Sequence, residues 1–158
     1  TCALPILERI AERCDEIDKS YENLKSKGYK LSNEAINEVK ECMELSGKLF
    51  EEAIEAVATG DDKVIDKMTR DKNKIRKKNR QCSKAHFGRV KNKKCSKAMS
   101  GDYTEILQNI GRITDNCVGI AEEALDNVKF MTLNAEEMEQ YGNVIDFSQA
   151  KQVEGTEA

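Results

Sequence analysis

The sequence predicts an all-α protein, an antiparallel helical bundle, and three observations carry that prediction. Apolar residues recur at three- and four-residue spacing through four long stretches. The chain has one Pro and no Trp, and 35% of its residues are charged, which suits solvated helix faces around an aliphatic core. A stretch near the N-terminus also recurs far along the chain: ILERIAERCDEI at 6–17 returns as NIGRITDNCVGI at 109–120. Arg9 matches Arg112, Ile10 matches Ile113, Cys14 matches Cys117 and Ile17 matches Ile120. Leu7/Ile110 and Glu12/Asp115 are conservative matches. Such a repeat is the mark of an internally duplicated helical fold.

The first helix is expected at about 3–26. Leu4, Leu7, Ile10, Cys14, Ile17, Tyr21 and Leu24 make a heptad-like seam, and Gly28 supplies the stop. Ser32 is the N-cap of a second helix at about 33–59. There Ala35, Val39, Cys42, Ser46, Leu49, Ala53 and Ala56 form one row, and Ile36, Met43, Phe50 and Val57 form the next. Two adjacent rows make a wide apolar face, so this helix is expected at the centre. Thr59-Gly60 ends it, and Asp61 or Asp62 caps the third.

The third helix, about 62–91, has a thinner seam of Val64/Ile65, Met68, Ile75, Cys82, His86 and Val90. Ser96 or Ser100 starts a fourth, running to about 126 on Tyr103, Ile106/Leu107, Ile110, Ile113, Cys117, Ile120 and Ala124. After Asn127 the pattern decays. The reading is a single bundle over 1–126, with 127–158 as an extension holding a short helix near 134–141, an apolar stretch at 143–147 that docks on the bundle, and a polar tail. A chain of 158 residues is long enough to bury such a core.

Charge is distributed unevenly. Residues 66–97 hold fourteen Lys or Arg against two Asp, a net +12, and the remainder carries −15, so the total of −3 conceals the asymmetry. The candidate interaction residues are Lys74, Arg76, Lys77, Lys78, Arg80, Lys84, Arg89, Lys91, Lys93 and Lys94. The first reading is a solvated helix face, partly neutralised by the acidic second helix, and beneath a membrane a basic helix and loop would face an anionic inner leaflet. Nucleic acid fits poorly, because only Phe87 offers an aromatic stacking face within the basic segment.

Other classes are excluded or disfavoured. No apolar run approaches the roughly 18–20 residues of a membrane span, and the opening residues are not read as a signal peptide. Cys14, Cys42, Cys82 and Cys117 fall on helical core positions, as reduced cysteines do. There is no C-x-x-C pair, and a single His is too few for a Cys/His zinc site. No Ser/His/Asp or Cys/His grouping and no Gly-rich phosphate loop points to an enzyme. His86, near a helix end, reads as a packed or capping residue.

The segment LERIAERCDEI resembles the L-E-R-I-G-D-H-x-x-N-I signature of PhoU-like domains, and NIGRITDNCVGI looks like a second, degraded copy. Between them KLSNEAINEVKECMELSGKLFEEAIEAVATGD resembles the first helix of such a repeat. A basic helix follows, ending in R-x-x-x-x-x-H-F-x-R-V from Arg80 to Val90, and then KKCSKA stands where those domains have a short turn. The resemblance covers about 4–126. It implies a complete three-helix repeat at about 32–126, preceded by the last helix of another at about 3–26, and hence an N-terminally truncated piece.

The arrangement further resembles the C-terminal region of bacterial sodium/phosphate cotransporters. That implies a non-catalytic regulatory domain on the cytoplasmic side of the inner membrane. Its partner is then the transmembrane portion of the same polypeptide or a separate phosphate transporter, with the inner leaflet and a second copy as further candidates. A free-standing regulator of phosphate uptake and signalling is the alternative, and a metal-binding bundle is another.

The family's E/D-x-x-x-D pairs bind divalent or ferric metal, since carboxylates at i and i+4 share one helix face. Here Glu8 and Glu12 keep one such pair. The second copy has Gly111 in place of the leading acid and keeps Asp115 alone, while Lys72 and Arg76 stand where the third helix should carry acids. The resemblance therefore leaves Glu8, Glu12 and Asp115 as degenerate metal candidates and no cofactor beyond them. It also suggests that Lys72 and Arg76 pair with Asp115 or with Glu residues on a neighbouring helix in place of a bridging metal.

Overall fold

The computed structural model describes residues 3–142, with side chains for 4–126. Among the described residues are four α-helices and one short 3-10 turn: α1 (Ala3–Ser26), α2 (Asn33–Thr59), α3 (Lys63–Lys91), the turn Lys97–Met99 and α4 (Ser100–Gly142). The chain divides into two units, Thr1–Leu125 and Asp126–Ala158. The first is the helical bundle.

The breaks fall where local chemistry puts them. Gly28 takes a left-handed φ of 76°, and Tyr29 N–H reaches back to the Leu24 carbonyl at 2.9 Å, closing the end of α1. Ser32 Oγ accepts from Ala35 N–H and caps α2. Gly60, with φ 68°, returns its N–H to the Ala56 carbonyl. Asp61 accepts from Lys63 N–H at the start of α3. Ser96 caps the 3-10 turn, which leads directly into α4 at Ser100.

Contacts between helices fix the topology. Glu38, Cys42 and Glu52 of α2 meet Arg89, Cys82 and Lys67 of α3, so α2 and α3 run antiparallel. Arg76 and His86 of α3 meet Asp115 and Ser100 of α4, which gives a second antiparallel pair. Glu38 and Ser46 of α2 meet Tyr103 and Thr114 of α4, so these two run parallel.

Two apolar clusters share the core. One gathers Leu24, Cys42, Cys82, Tyr103, Ile106 and Ile110. The other gathers Leu49, Met68, Ile75, Ile113, Cys117 and Val118. Ile17 of α1 packs on both.

Three expectations are corrected. The α1 seam is buried only at Leu24; Leu4, Cys14 and Tyr21 are exposed. Of the second α2 row, Ile36, Met43 and Val57 are exposed and only Phe50 is partly covered. The physical reason is shared: periodicity names an apolar face but does not supply what packs on it. Between the two helices lies an apolar groove of about 530 Å³, lined by Cys14, Ile17, Tyr21, Ile36, Val39 and Met43 among others.

The third correction concerns the C-terminal end of α4. It continues through 127–133 to Gly142, where a break and a separate short helix were expected. The stretch contains Leu, Ala, Glu, Met and Gln, which favour helix without an apolar stripe. The expected docking of 143–147 and the polar tail lie outside the described residues.

Candidate interaction surface

Helix α3 lies between α2 and α4, and its positive charge is divided between clamps and free ends. Arg89 makes two hydrogen bonds to the Glu38 carboxylate, at 2.8 and 2.7 Å. Lys78 pairs with Glu41 at 2.6 Å, and Lys67 with Glu52. Arg76 Nη2 contacts both Asp115 oxygens, at 2.8 and 2.9 Å. Lys74 is held by Asp71 on its own helix at 2.7 Å. Of the sequence-predicted interaction residues, Lys74, Arg76, Lys78 and Arg89 are therefore engaged within the bundle. Lys77, Arg80, Lys84, Lys91, Lys93 and Lys94 are exposed and enter no ion pair among the described residues. Lys93 sits at a left-handed φ of 57°, in the tight turn that ends α3 and holds Lys94 outward.

The clamps reach inward at one point. Tyr103 is fully buried on α4, and its hydroxyl donates to Glu38 Oε2 at 2.6 Å. Burial pushes the Glu38 carboxyl up, but hydrogen bonds from Arg89 and Tyr103 outweigh it and hold the group below its usual range. Burial, and then Glu38, push the Tyr103 hydroxyl up. Hydrogen bonding to Glu38 likewise raises the Arg89 guanidinium. Arg89 also lies 5.9 Å from the Tyr103 ring centroid. Three helices are thus tied by one charged pair and the neutral phenol bonded to it.

His86 is buried beside it and stacks on Tyr103 with ring centroids 4.6 Å apart. Its Nε2 meets Ser100 Oγ at 2.9 Å, and its Nδ1 faces Cys95 Sγ at 3.9 Å. Burial, and then the nearby Arg89 charge, lower its pKa, so the imidazole is neutral near pH 7. The sequence reading of His86 as a packed residue matches its burial, but it missed Cys95. The two are nine positions apart across a helix end, and no spacing rule for one helix face joins them.

A groove of about 350 Å³ opens between α3 and α4, lined by Arg76, Asn79, Arg80 and Ser83 from one helix and Thr104, Leu107, Gln108 and Gly111 from the other. Asn79 Nδ2 donates to the Leu107 carbonyl at 2.9 Å, while its Oδ1 is buried without a protein partner. Gly111 leaves this wall low: a Cβ there would stand 3.5 Å from Asn79 Nδ2. The groove offers donors and cationic side chains, chemistry that suits an acidic or hydroxylated partner group.

The metal candidates are placed apart from such chemistry. Glu8 and Glu12 are exposed on α1. Asp115 faces Arg76, the pairing that the replaced acids of the third helix suggested. Lys72 is half-buried and enters no ion pair among the described residues. No three His, Cys, Asp or Glu side chains gather into a metal-ligating group among the described residues. Buried thiols are kept protonated: burial pushes Cys42 and Cys117 each up to about 12.

A family model described as the PhoU domain matches residues 39–124, from α2 through most of the bundled part of α4. Comparison with curated proteins and with solved structures gives no match.

Proposed function

The chain belongs to the PhoU domain family, and on that premise we propose that it is a non-catalytic regulatory domain of phosphate transport whose basic α3 edge docks on an acidic cytoplasmic face of a sodium-dependent phosphate transporter. PhoU domains have phosphate-related regulatory roles, which agrees with a site built from ion pairs rather than from a nucleophile and base.

One observation supports this reading most. Helix α3 ties off some of its cations on Glu38, Glu41, Glu52 and Asp115, and leaves Lys77, Arg80, Lys84 and Lys91 at solvent, as the turn after it leaves Lys93 and Lys94. These pairs turn part of the charge of α3 toward the bundle, so the remaining cations form an outward pattern that electrostatics can steer to a partner. The transporter is the membrane portion of the same polypeptide or a separate protein. No helix among the described residues is long and apolar enough to cross a membrane. The inner leaflet is an additional surface for the same lysines.

The deciding experiment measures phosphate uptake in cells carrying charge-reversed Lys77, Arg80 and Lys84, beside cells carrying the parent chain. The expected result is altered uptake or altered response to external phosphate, with unchanged thermal unfolding of the purified variant. Wild-type uptake would sink the proposal. Recovery of the domain from the cytosol, with regulation intact and no membrane fraction engaged, favours the free-standing regulator. A metal role for Glu8, Glu12 or Asp115 predicts stoichiometric divalent or ferric metal that is lost in D115N.

A further inference from the structure

His86, Cys95 and Met99 converge where α3 hands over to α4, and docking through the basic edge uses none of them. Cys95 Sγ lies 3.9 Å from His86 Nδ1 and 3.6 Å from Met99 Sδ. We propose that these three side chains form a binding site for a monovalent soft metal ion, Cu(I) by preference.

Donor chemistry supports this choice. Thiolate, thioether and imidazole are the ligand types that select Cu(I) over hard cations. Spacing supports it too. Metal bonds of roughly 2.3 Å to sulfur and roughly 2.0 Å to nitrogen set neighbouring donors about 3.7–4.0 Å apart in a trigonal plane. The nitrogen–sulfur separation of 3.9 Å would close toward about 3.7 Å and the sulfur–sulfur separation of 3.6 Å would widen toward about 4.0 Å to reach that arrangement.

The surroundings prepare each donor. His86 Nε2 is bonded to Ser100 Oγ, and with Nε2–H donating, Nδ1 presents its lone pair toward Cys95. Cys95 has one thiol hydrogen and three acceptors around it: His86 Nδ1, Met99 Sδ and the Ser96 carbonyl at 3.7 Å. One hydrogen can satisfy one of them, whereas a metal ion in its place engages both soft neighbours. His86 and Met99 are buried and Cys95 is partly exposed, so an ion enters from the loop side.

Charge decides between monovalent and divalent ions. Loading exchanges a proton for the ion: Cys95 S–H plus Cu(I) gives Cys95 S–Cu plus one released proton, with no change of oxidation state. The loaded site is neutral. A divalent ion would leave a net positive charge in a loop that already carries the exposed Lys91, Lys93, Lys94 and Lys97, and like charges disfavour it.

The test uses the complete chain, reduced and anaerobic, titrated with Cu(I) buffered by a competing chelator and in parallel with redox-inert Ag(I). The chain has one His, so its imidazole ¹⁵N spectrum reports a single residue. The expected result is one tight equivalent whose loading shifts the Nδ1 resonance of His86. C95S abolishes that shift. M99L, close in volume to Met, lowers the affinity by about tenfold or more and keeps the fold, and S100A lowers it by about tenfold through loss of the Nε2 partner. Copper bound with an unmoved Nδ1 resonance overturns the proposal, as does an unchanged shift in C95S. Zn(II) binding His86 as tightly as Cu(I) overturns the assignment to a monovalent ion.

Discussion

Helices α1 and α4 carry the same pattern and meet opposite surroundings. Leu107 of α4 is 4% exposed, while Leu4 at the matching place in α1 is 67% exposed. Cys117 is buried and Cys14 is exposed. Between them Ile110 and Ile113 are buried where Leu7 and Ile10 are only partly covered. The repeated residues therefore specify a helix and an apolar stripe, and nothing more. Burial comes from neighbours: α4 has α2 on one side and α3 on the other, whereas α1 borders an open groove with α2. The same rule explains why one row of α2 is core and the next is surface.

The largest expected effect tests that contrast directly. Leu107→Ala removes a fully packed side chain and should cost about 2–5 kcal/mol, read by urea unfolding. Leu4→Ala should change stability by no more than about 0.5 kcal/mol. An L4A cost as large as that of L107A would break the comparison, because it would mean that the α1 face is covered in solution.

Much of the fold is legible in the sequence for reasons these residues illustrate. Ser32, Gly60 and Ser96 act locally, so their caps can be read from neighbouring positions. The α4 stripe is correct because tertiary packing completes it. Leu4 and Tyr21 mislead because an identical stripe lacks a cover. At the site, the Arg76–Asp115 pairing is traceable from the charge replacements, since one acid remained opposite a new cation. The Glu38–Arg89–Tyr103 cluster is not traceable, because its members come from three helices with no shared spacing. Nor is the meeting of His86 with Cys95, which depends on how the loop after Lys91 folds back.

A medium effect is expected where α4 is polar and α1 is not. Thr114 is buried, lies 3.1 Å from Ser46 Oγ and donates to the Ile110 carbonyl at 2.8 Å. The matching residue in α1 is Ala11. Thr114→Ala leaves the Ser46 hydroxyl buried without its partner and should cost about 1–3 kcal/mol. The double variant S46A/T114A should recover part of that loss, since no hydroxyl is then stranded. Failure to recover would show that packing of the Thr methyl, rather than the hydrogen bond, distinguishes the two helices.

Acid should weaken the α4 side of the comparison as well. The Glu38 carboxyl is held below its ordinary value in the folded chain, so its contribution is present above the unfolded pKa of 4.5 and is lost as pH falls through the lower folded value. His86 adds a loss with the same sign at higher pH. Its folded pKa is lowered from 6.5, so the unfolded chain takes up the proton first and stability declines as pH drops below 6.5. Unfolding midpoints measured from pH 7.5 to 3.5 should fall in these two stages. E38Q should remove the lower stage, and a variant that keeps it would show that other carboxylates govern acid unfolding.

The smallest effect concerns the acids that the repeat places in register, Glu12 of α1 and Asp115 of α4. Glu12 is exposed and enters no ion pair among the described residues. Asp115 is held by Arg76, but both side chains of that bridge remain close to half exposed, at 43% and 46%. Water and salt therefore screen the attraction, and such pairs contribute about 0–1 kcal/mol. Arg76→Ala should lower stability by no more than that and should cost less in 1 M salt than in 0.05 M salt. E12Q should change nothing at either salt concentration. If R76A instead costs several kcal/mol regardless of salt, the pair acts as a buried clamp, and α4 owes its position to charge as well as to apolar neighbours. If the cost is small and salt-sensitive, the cation facing Asp115 serves to neutralise an acid that the α4 repeat retains, and packing by α2 and α3 alone separates the fate of α4 from that of α1.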